Sequence, residues 1–233
     1  MPVSSVMTFS RAGLLAGVRR SLPVALSVAA YGAVFGVLAR QAGLSVEEAG
    51  LMSGLVYAGS AQFVALGLWT TPLPIATLVL TTLVVNLRLL LMGATMRTWF
   101  AGVRPRRTYS TLFFLTDESW ALTLRWFEEG GRDAAFLLGS GLTIFVAWLG
   151  ATLVGHTAGA LLRDPARWGL DFAATAVFAA LLVARWKGRA DVLPWVTAAL
   201  VAVGVERVVP GKWYILAGGL AGSLIGAVRD RAR

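Results

Sequence analysis

Three short clusters bring polar chemistry into stretches that are otherwise apolar: Thr116-Asp117-Glu118-Ser119, Asn86-Leu87-Arg88 and Ala58-Gly59-Ser60-Ala61-Gln62-Phe63. Asp117 and Glu118 are adjacent acids inside an apolar run. On a helix they project about 100° apart, so both cannot avoid lipid unless that helix lies inside a bundle. Two repelling carboxylates at such a place suit proton coupling or an ammonium ligand, and a counter-ion to Arg88 is the alternative, compatible with both.

An arginine at mid-helix costs at least about 2.5–3.5 kcal/mol unless it is paired or hydrated. The apolar segment holding Arg88 ends near residue 96, about 12 Å further along a helix, which is beyond easy snorkelling reach. Direct substrate contact and a structural ion pair with a carboxylate both fit. Around Gly59, Ser60 and Gln62, small and amide residues would break or pinch a membrane helix, and freed backbone groups survive only inside protein or around a water-filled cavity. A half-helix beginning at Ser60 would aim N–H groups at an anionic group such as a carboxylate. A small-residue helix contact with Gln62 bonded across it is the alternative.

The remaining polar residues read more simply. Asp171 is an N-cap or interfacial aspartate, Glu206-Arg207 an interfacial pair, and His156 a packed polar residue. There is no cysteine and His156 is the only histidine, which excludes a disulfide scaffold, thiolate catalysis and a multi-histidine metal site. No cofactor or metal is expected. No nucleophile–base pair stands beside the acids, so an enzyme is not expected either.

The elements that must position these clusters are membrane helices. Of 233 residues, 57% are apolar and 14% charged, with a mean hydropathy of +0.72. A soluble domain carries about a quarter charged residues, so this chain cannot cover itself with a charged surface. Apolar segments fall at 22–39, 48–70, 74–96, 110–124, 134–162, 169–184, 192–205 and 213–228. The expected fold is all-α: a polytopic membrane protein with 6–8 membrane segments, some broken or re-entrant, forming a single transmembrane transporter domain over 1–233. Residues 1–20 read as a short interfacial lead-in carrying Arg11, Arg19 and Arg20, not as a signal peptide.

A shift of about 119 residues aligns Gly36 with Gly155, Gly50-Leu51 with Gly169-Leu170 and Arg88 with Arg207, giving repeat halves of about 22–96 and 141–215. Basic residues on short loops set orientation. If all eight segments span, they divide poorly between the two sides. If 48–70 and 169–184 re-enter, most gather on the side of the N-terminus, leaving Arg40, Arg125, Arg132 and Lys212 opposite. Segments 22–39 and 141–158 would then run oppositely, an inverted repeat as in many secondary transporters. A seven-span arrangement with the N-terminus outside stays open. The net charge of +9 reads as loop charge facing anionic lipids, with no nucleic-acid partner.

Pro23, Gly36, Ala58-Gly59-Ser60-Ala61-Gln62-Phe63, Asn86-Leu87-Arg88 and Asp117-Glu118, in this order and spacing, resemble the AzlC family, the large subunits of bacterial branched-chain amino acid exporters. The resemblance runs from about residue 11 to 228. It implies export of leucine, isoleucine, valine and sometimes methionine across the bacterial plasma (inner) membrane. It also implies a small AzlD-like membrane subunit as partner. Members often have histidine after the arginine, where Leu89 stands here, and threonine or alanine after the acidic pair, where Ser119 stands. If that histidine moves protons elsewhere, it cannot do so here.

The resulting expectation is a secondary transporter subunit, proton-coupled. Gly59, Ser60 and Gln62 receive the substrate carboxylate, and Asp117 or Glu118 the ammonium or a coupling proton. Asn86 and Arg88 hold the network, and Phe63 meets the branched side chain. A passive small-solute channel, or a scaffold subunit of a membrane complex, is the alternative.

Overall fold

The computed structural model describes residues 7–161, 172–184, 186, 188–210 and 213–231. Apart from one isolated bridge between Thr8 and Asp133, these residues form helices and their connections. The chain divides into two compact units, one from Met1–Phe63 and Asn86–Leu170, the other from Val64–Val85 and Asp171–Arg233. Among the described residues three helices are long and apolar enough to cross a membrane: Arg11–Gln41, Ile75–Thr98 and Ala135–Leu161.

In the first unit, α1 (Arg11–Gln41) starts at Ser10, whose side chain accepts the Gly13 N–H. At 31 residues it is about 46 Å long against a hydrocarbon core of about 30 Å. Residues 11–20, expected as a lead-in, therefore belong to the helix itself. The cap explains this, together with Asp133, which accepts from the Thr8 hydroxyl, the Ser10 hydroxyl and backbone, and the Ala135 N–H. These bonds tie the first turn of α1 to the start of α7 (Ala135–Leu161).

The two helices pack along their length through glycines. A methyl group at Gly17 would strike the Phe136 carbonyl oxygen, one at Gly139 that of Leu14, one at Gly36 that of Thr152, and one at Gly155 that of Ala33. Facing positions rise together in number, so α1 and α7 run parallel. The segments equated by the 119-residue shift thus lie side by side and point the same way, so inversion does not relate this pair. Close parallel packing needs only small residues on both faces, which is what the shared glycine pattern supplies.

Segment 48–70 becomes three pieces. α2 (Val46–Leu51) starts at the end of α1 far from Ser10, under a capping box of Ser45 and Glu48. A π-helical turn, Met52–Val56, follows and stops at Tyr57, the positive-φ non-glycine residue (φ 44°) among those described. α3 (Gly59–Gly67) then leads back: Gln62 lies beside Ser53, and the Phe63 ring meets Phe35 and Trp148. Two helical pieces joined at a left-handed residue make a hairpin with its tip at Tyr57-Ala58.

α4 (Ile75–Thr95) continues as a 3-10 turn, Met96–Thr98, whose Met96 packs with Phe100, Leu115, Ala134 and Leu137 at the end where α1 begins. α5 (Pro105–Leu112) and α6 (Asp117–Glu128) form a second hairpin from that same end. The Arg107 guanidinium lies over the Phe9 ring, Phe113 and Phe114 reach Phe145, and Phe127 stacks on Trp99. At about 12 and 18 Å neither helix can cross a 30 Å core, so 110–124 holds a hairpin turn and not a span. Arg125 and Arg132, which the charge count set opposite the N-terminus, accordingly lie with it: Arg125 and Arg20 share Glu129, and Arg132 lies over Trp99.

In the second unit, α9 (Val192–Val208) and α10 (Trp213–Arg231) are antiparallel. Gly218 abuts Ala198 and Ala202, Gly222 abuts Pro194 and Ala198, and Arg229 reaches the Ala190 carbonyl. α8 (Ala173–Ala184) precedes them. Asp171 and the Gly169-Leu170 match lie outside the described residues.

Candidate functional site

Both hairpins turn against the same stretch of α7. The Tyr57 hydroxyl donates to the Gly141 carbonyl at 3.2 Å, and its ring lies 4.9 Å from Phe145 and 6.4 Å from Phe114. A side chain at Gly141 would collide with the Phe114 carbonyl. Glycine at 141 thus lets the second hairpin's turn approach α7 beside Tyr57 of the first.

Arg88 on α4 joins the two tips. Its Nη1 donates to Asp117 Oδ2 at 2.5 Å and its Nη2 to Ser60 Oγ at 2.6 Å. The side chains are 28% and 20% exposed for Arg88 and Asp117, so the pair is largely shielded and each charge needs the other. Thr116 caps α6: the Ser119 N–H donates to Thr116 Oγ1, and the Thr116 N–H to Ser119 Oγ. Asp117 and Glu118 therefore occupy the first turn, where the helix dipole favours negative charge. Arg88 is thus ion-paired with Asp117, the arrangement common to both of its expected roles.

The expected residues divide into three groups, with Glu118 apart from them. Ser60, Arg88 and Asp117 are hydrogen-bonded together, and Asn86, two residues before Arg88 and so about 200° round α4, has its Oδ1 buried and without a protein hydrogen bond, as is Arg88 Nε. Gln62 instead joins a second network: its Nε2 donates to Ser53 Oγ at 3.0 Å, and that hydroxyl donates to Thr152 Oγ1 at 3.2 Å, while Gln62 Oε1 is buried without a partner. Gly59 and Phe63 pack on Trp148, with Phe35 completing an aromatic cluster. Glu118 is exposed, forms no ion pair among the described residues, and lies close enough to Tyr57 for its charge to act on the phenol.

His156 packs as expected, its Nε2 2.9 Å from the Leu44 carbonyl. Sequence reasoning missed Tyr57, Ser53 and Thr152. A phenol in mid-segment beside a Gly-Ser break was the available signal, because a buried tyrosine hydroxyl needs a partner. Ser53 and Thr152 carried none, since a hydroxyl in a helix can satisfy itself on its own backbone.

Apolar spanning helices, paired half-length hairpins and a shielded charge network between them define a polytopic α-helical membrane protein. The family model described as AzlC protein matches residues 23–162, and the chain belongs to that family. It is 32% identical over 212 residues to an uncharacterized membrane protein of Archaeoglobus fulgidus, covering 90% of this chain and 92% of that one. It is 27% identical to inner membrane protein YgaZ of Escherichia coli, over 82% of this chain and 79% of that one. With the branched-chain amino acid transport protein AzlC of Bacillus subtilis it shares 25% identity over 76% of this chain and 70% of the relative. No solved structure matches.

Proposed function

We propose that this chain is the large subunit of a secondary transporter that exports branched-chain amino acids, namely leucine, isoleucine, valine and sometimes methionine, across the plasma membrane in exchange for protons. Family membership supports the transport class, and the similarity to the branched-chain amino acid transport protein of Bacillus subtilis supports the substrate. The observation that carries the reading is the Arg88–Asp117 pair with Ser60, which sits where the tips of two oppositely entering hairpins meet. A zwitterion needs a cation and an anion a few ångströms apart in an apolar setting. Arg88 with the acids of α6 supplies the charges, and Phe63 with its aromatic neighbours supplies the apolar wall.

In this reading α1 with the α2–α3 hairpin and α4 with the α5–α6 hairpin form an inverted pair, and the substrate site lies between their tips, as in transporters that alternate access by moving one repeat against the other. A small AzlD-like subunit works with this chain. Radiolabelled leucine efflux from proteoliposomes, with and without that subunit and an imposed pH gradient, tests the proposal. Saturable efflux that follows the gradient supports it; no efflux from folded protein under any of these conditions contradicts it.

A further inference from the structure

Two adjacent acids occupy the first turn of α6, and the structure treats them differently. The capping box of Thr116 and Ser119 fixes that turn, so the two side chains leave the helix about 100° apart. Asp117 meets Arg88, whose second terminal nitrogen is spent on Ser60. That carboxylate is matched in charge and ties the hairpin tips together. Releasing it for another cation would break the link and strand the guanidinium.

Glu118 has no such commitment. The charged and titratable groups on the elements that meet here are few. Arg88 is held by Asp117, the Tyr57 hydroxyl donates to the Gly141 carbonyl, and α7 carries no charged residue between Ala135 and Gly155. Glu118 is exposed, and within a membrane an exposed, uncompensated carboxylate is costly; either a proton or an organic cation removes the cost. Arg88 Nε is buried and without a protein hydrogen bond, so the guanidinium keeps one donor for a substrate carboxylate.

We propose that Glu118 is the residue that takes the ammonium group of the substrate and exchanges it for a proton, and that Asp117 is a positioning residue committed to Arg88. The proposal rests on the transport reading above and assigns roles within it. Because the proton and the ammonium group require the same carboxylate oxygens, the two occupants exclude each other. Arrival of a zwitterion displaces the carboxyl proton to water on the side the site then faces, and the returning empty site carries a proton back. One proton is released for each zwitterion bound, so a gradient driving protons inward drives the zwitterion outward.

A hydrophobic carbodiimide, which modifies protonated carboxyl groups in apolar surroundings, reads this directly on the full chain in proteoliposomes. Mapped by mass spectrometry, the label falls on Glu118 in the wild type and in Asp117→Asn, and disappears in Glu118→Gln. If Asp117→Asn does not fold, the Arg88→Gln/Asp117→Asn double variant, which removes both charges together, takes its place. Label on Asp117, or on neither acid, overturns the assignment. Leucine should lower the labelling of Glu118 at least severalfold; undiminished labelling in vesicles that transport leucine overturns the ammonium role. Absence of leucine transport in the same vesicles would count against the transport reading, while the label still decides which acid holds the proton.

Discussion

Arg88 and Asp117 stand 29 positions apart in sequence and 2.5 Å apart in space, and they link a long apolar helix to the turn of a hairpin too short to cross the membrane. Each charge is shielded, so the loss of one leaves the other without compensation. Arg88→Gln and Asp117→Asn alone should each destabilise the first unit by about 1–3 kcal/mol, whereas the double variant should recover part of that loss. Thermal unfolding of the purified protein in detergent measures both, and strictly additive losses would show that the pair does not couple.

The parallel contact of α1 and α7 should be the least forgiving packing in the chain. A methyl at Gly36 meets the Thr152 carbonyl, which is backbone and cannot swing away. Gly36→Ala should cost about 1–3 kcal/mol by overpacking. Gly150→Ala, on α7 with nothing within 4 Å, should be neutral or gain up to about 1 kcal/mol through helix propensity. The comparison of melting temperatures separates steric contact from propensity.

Asp133 should make the joint between α1 and α7 sensitive to acid. Burial opposes its ionisation, but hydrogen bonds from Ser10, Thr8 and the Ala135 N–H outweigh this and hold its carboxyl below the ordinary aspartate value. A depressed folded-state value means that the stability it contributes is fully present above the unfolded value of about 3.9 and is lost as pH falls through the lower folded value. Asp133→Asn should therefore lower the melting temperature at neutral pH and flatten its decline below about pH 4.

Because the chain has no cysteine, single-cysteine variants report accessibility without background. Gln41→Cys and Glu47→Cys should react with a membrane-impermeant maleimide from one side. Arg106→Cys and Glu128→Cys should react from the other. Glu128→Cys reacting together with Glu47→Cys would mean that residues 105–128 cross the membrane.

Much of this was legible in the residues. An arginine too deep to snorkel had to find an acid, and the acids of 117–118 were the candidates inside an apolar run. The Gly-Ser break likewise marked the restart of a helix at Gly59. What stayed hidden depends on partners remote in sequence. Segment 110–124 reads as one apolar run, and only its packing on Trp99, Phe9 and Phe145 shows two half-length helices folded back. Gln62 belongs to Ser53 and Thr152 because α2 and α7 bring those hydroxyls to it, which its own neighbours do not announce. The opposite directions expected for segments 22–39 and 141–158 rest on a count of basic loop residues that puts Arg125 and Arg132 opposite the N-terminus, and only their contacts with Glu129 and Trp99 place them on its side.

Leucine counterflow in proteoliposomes, comparing the wild type with Arg88→Gln and Asp117→Asn in the presence of the small partner subunit, tests the central claim most directly, since counterflow requires substrate binding and alternating access but no driving gradient. Rapid exchange of internal for external leucine by the wild type, reduced at least tenfold in both folded variants, is the predicted result. Exchange at the wild-type rate in either variant would contradict the placement of the substrate site at this charge pair.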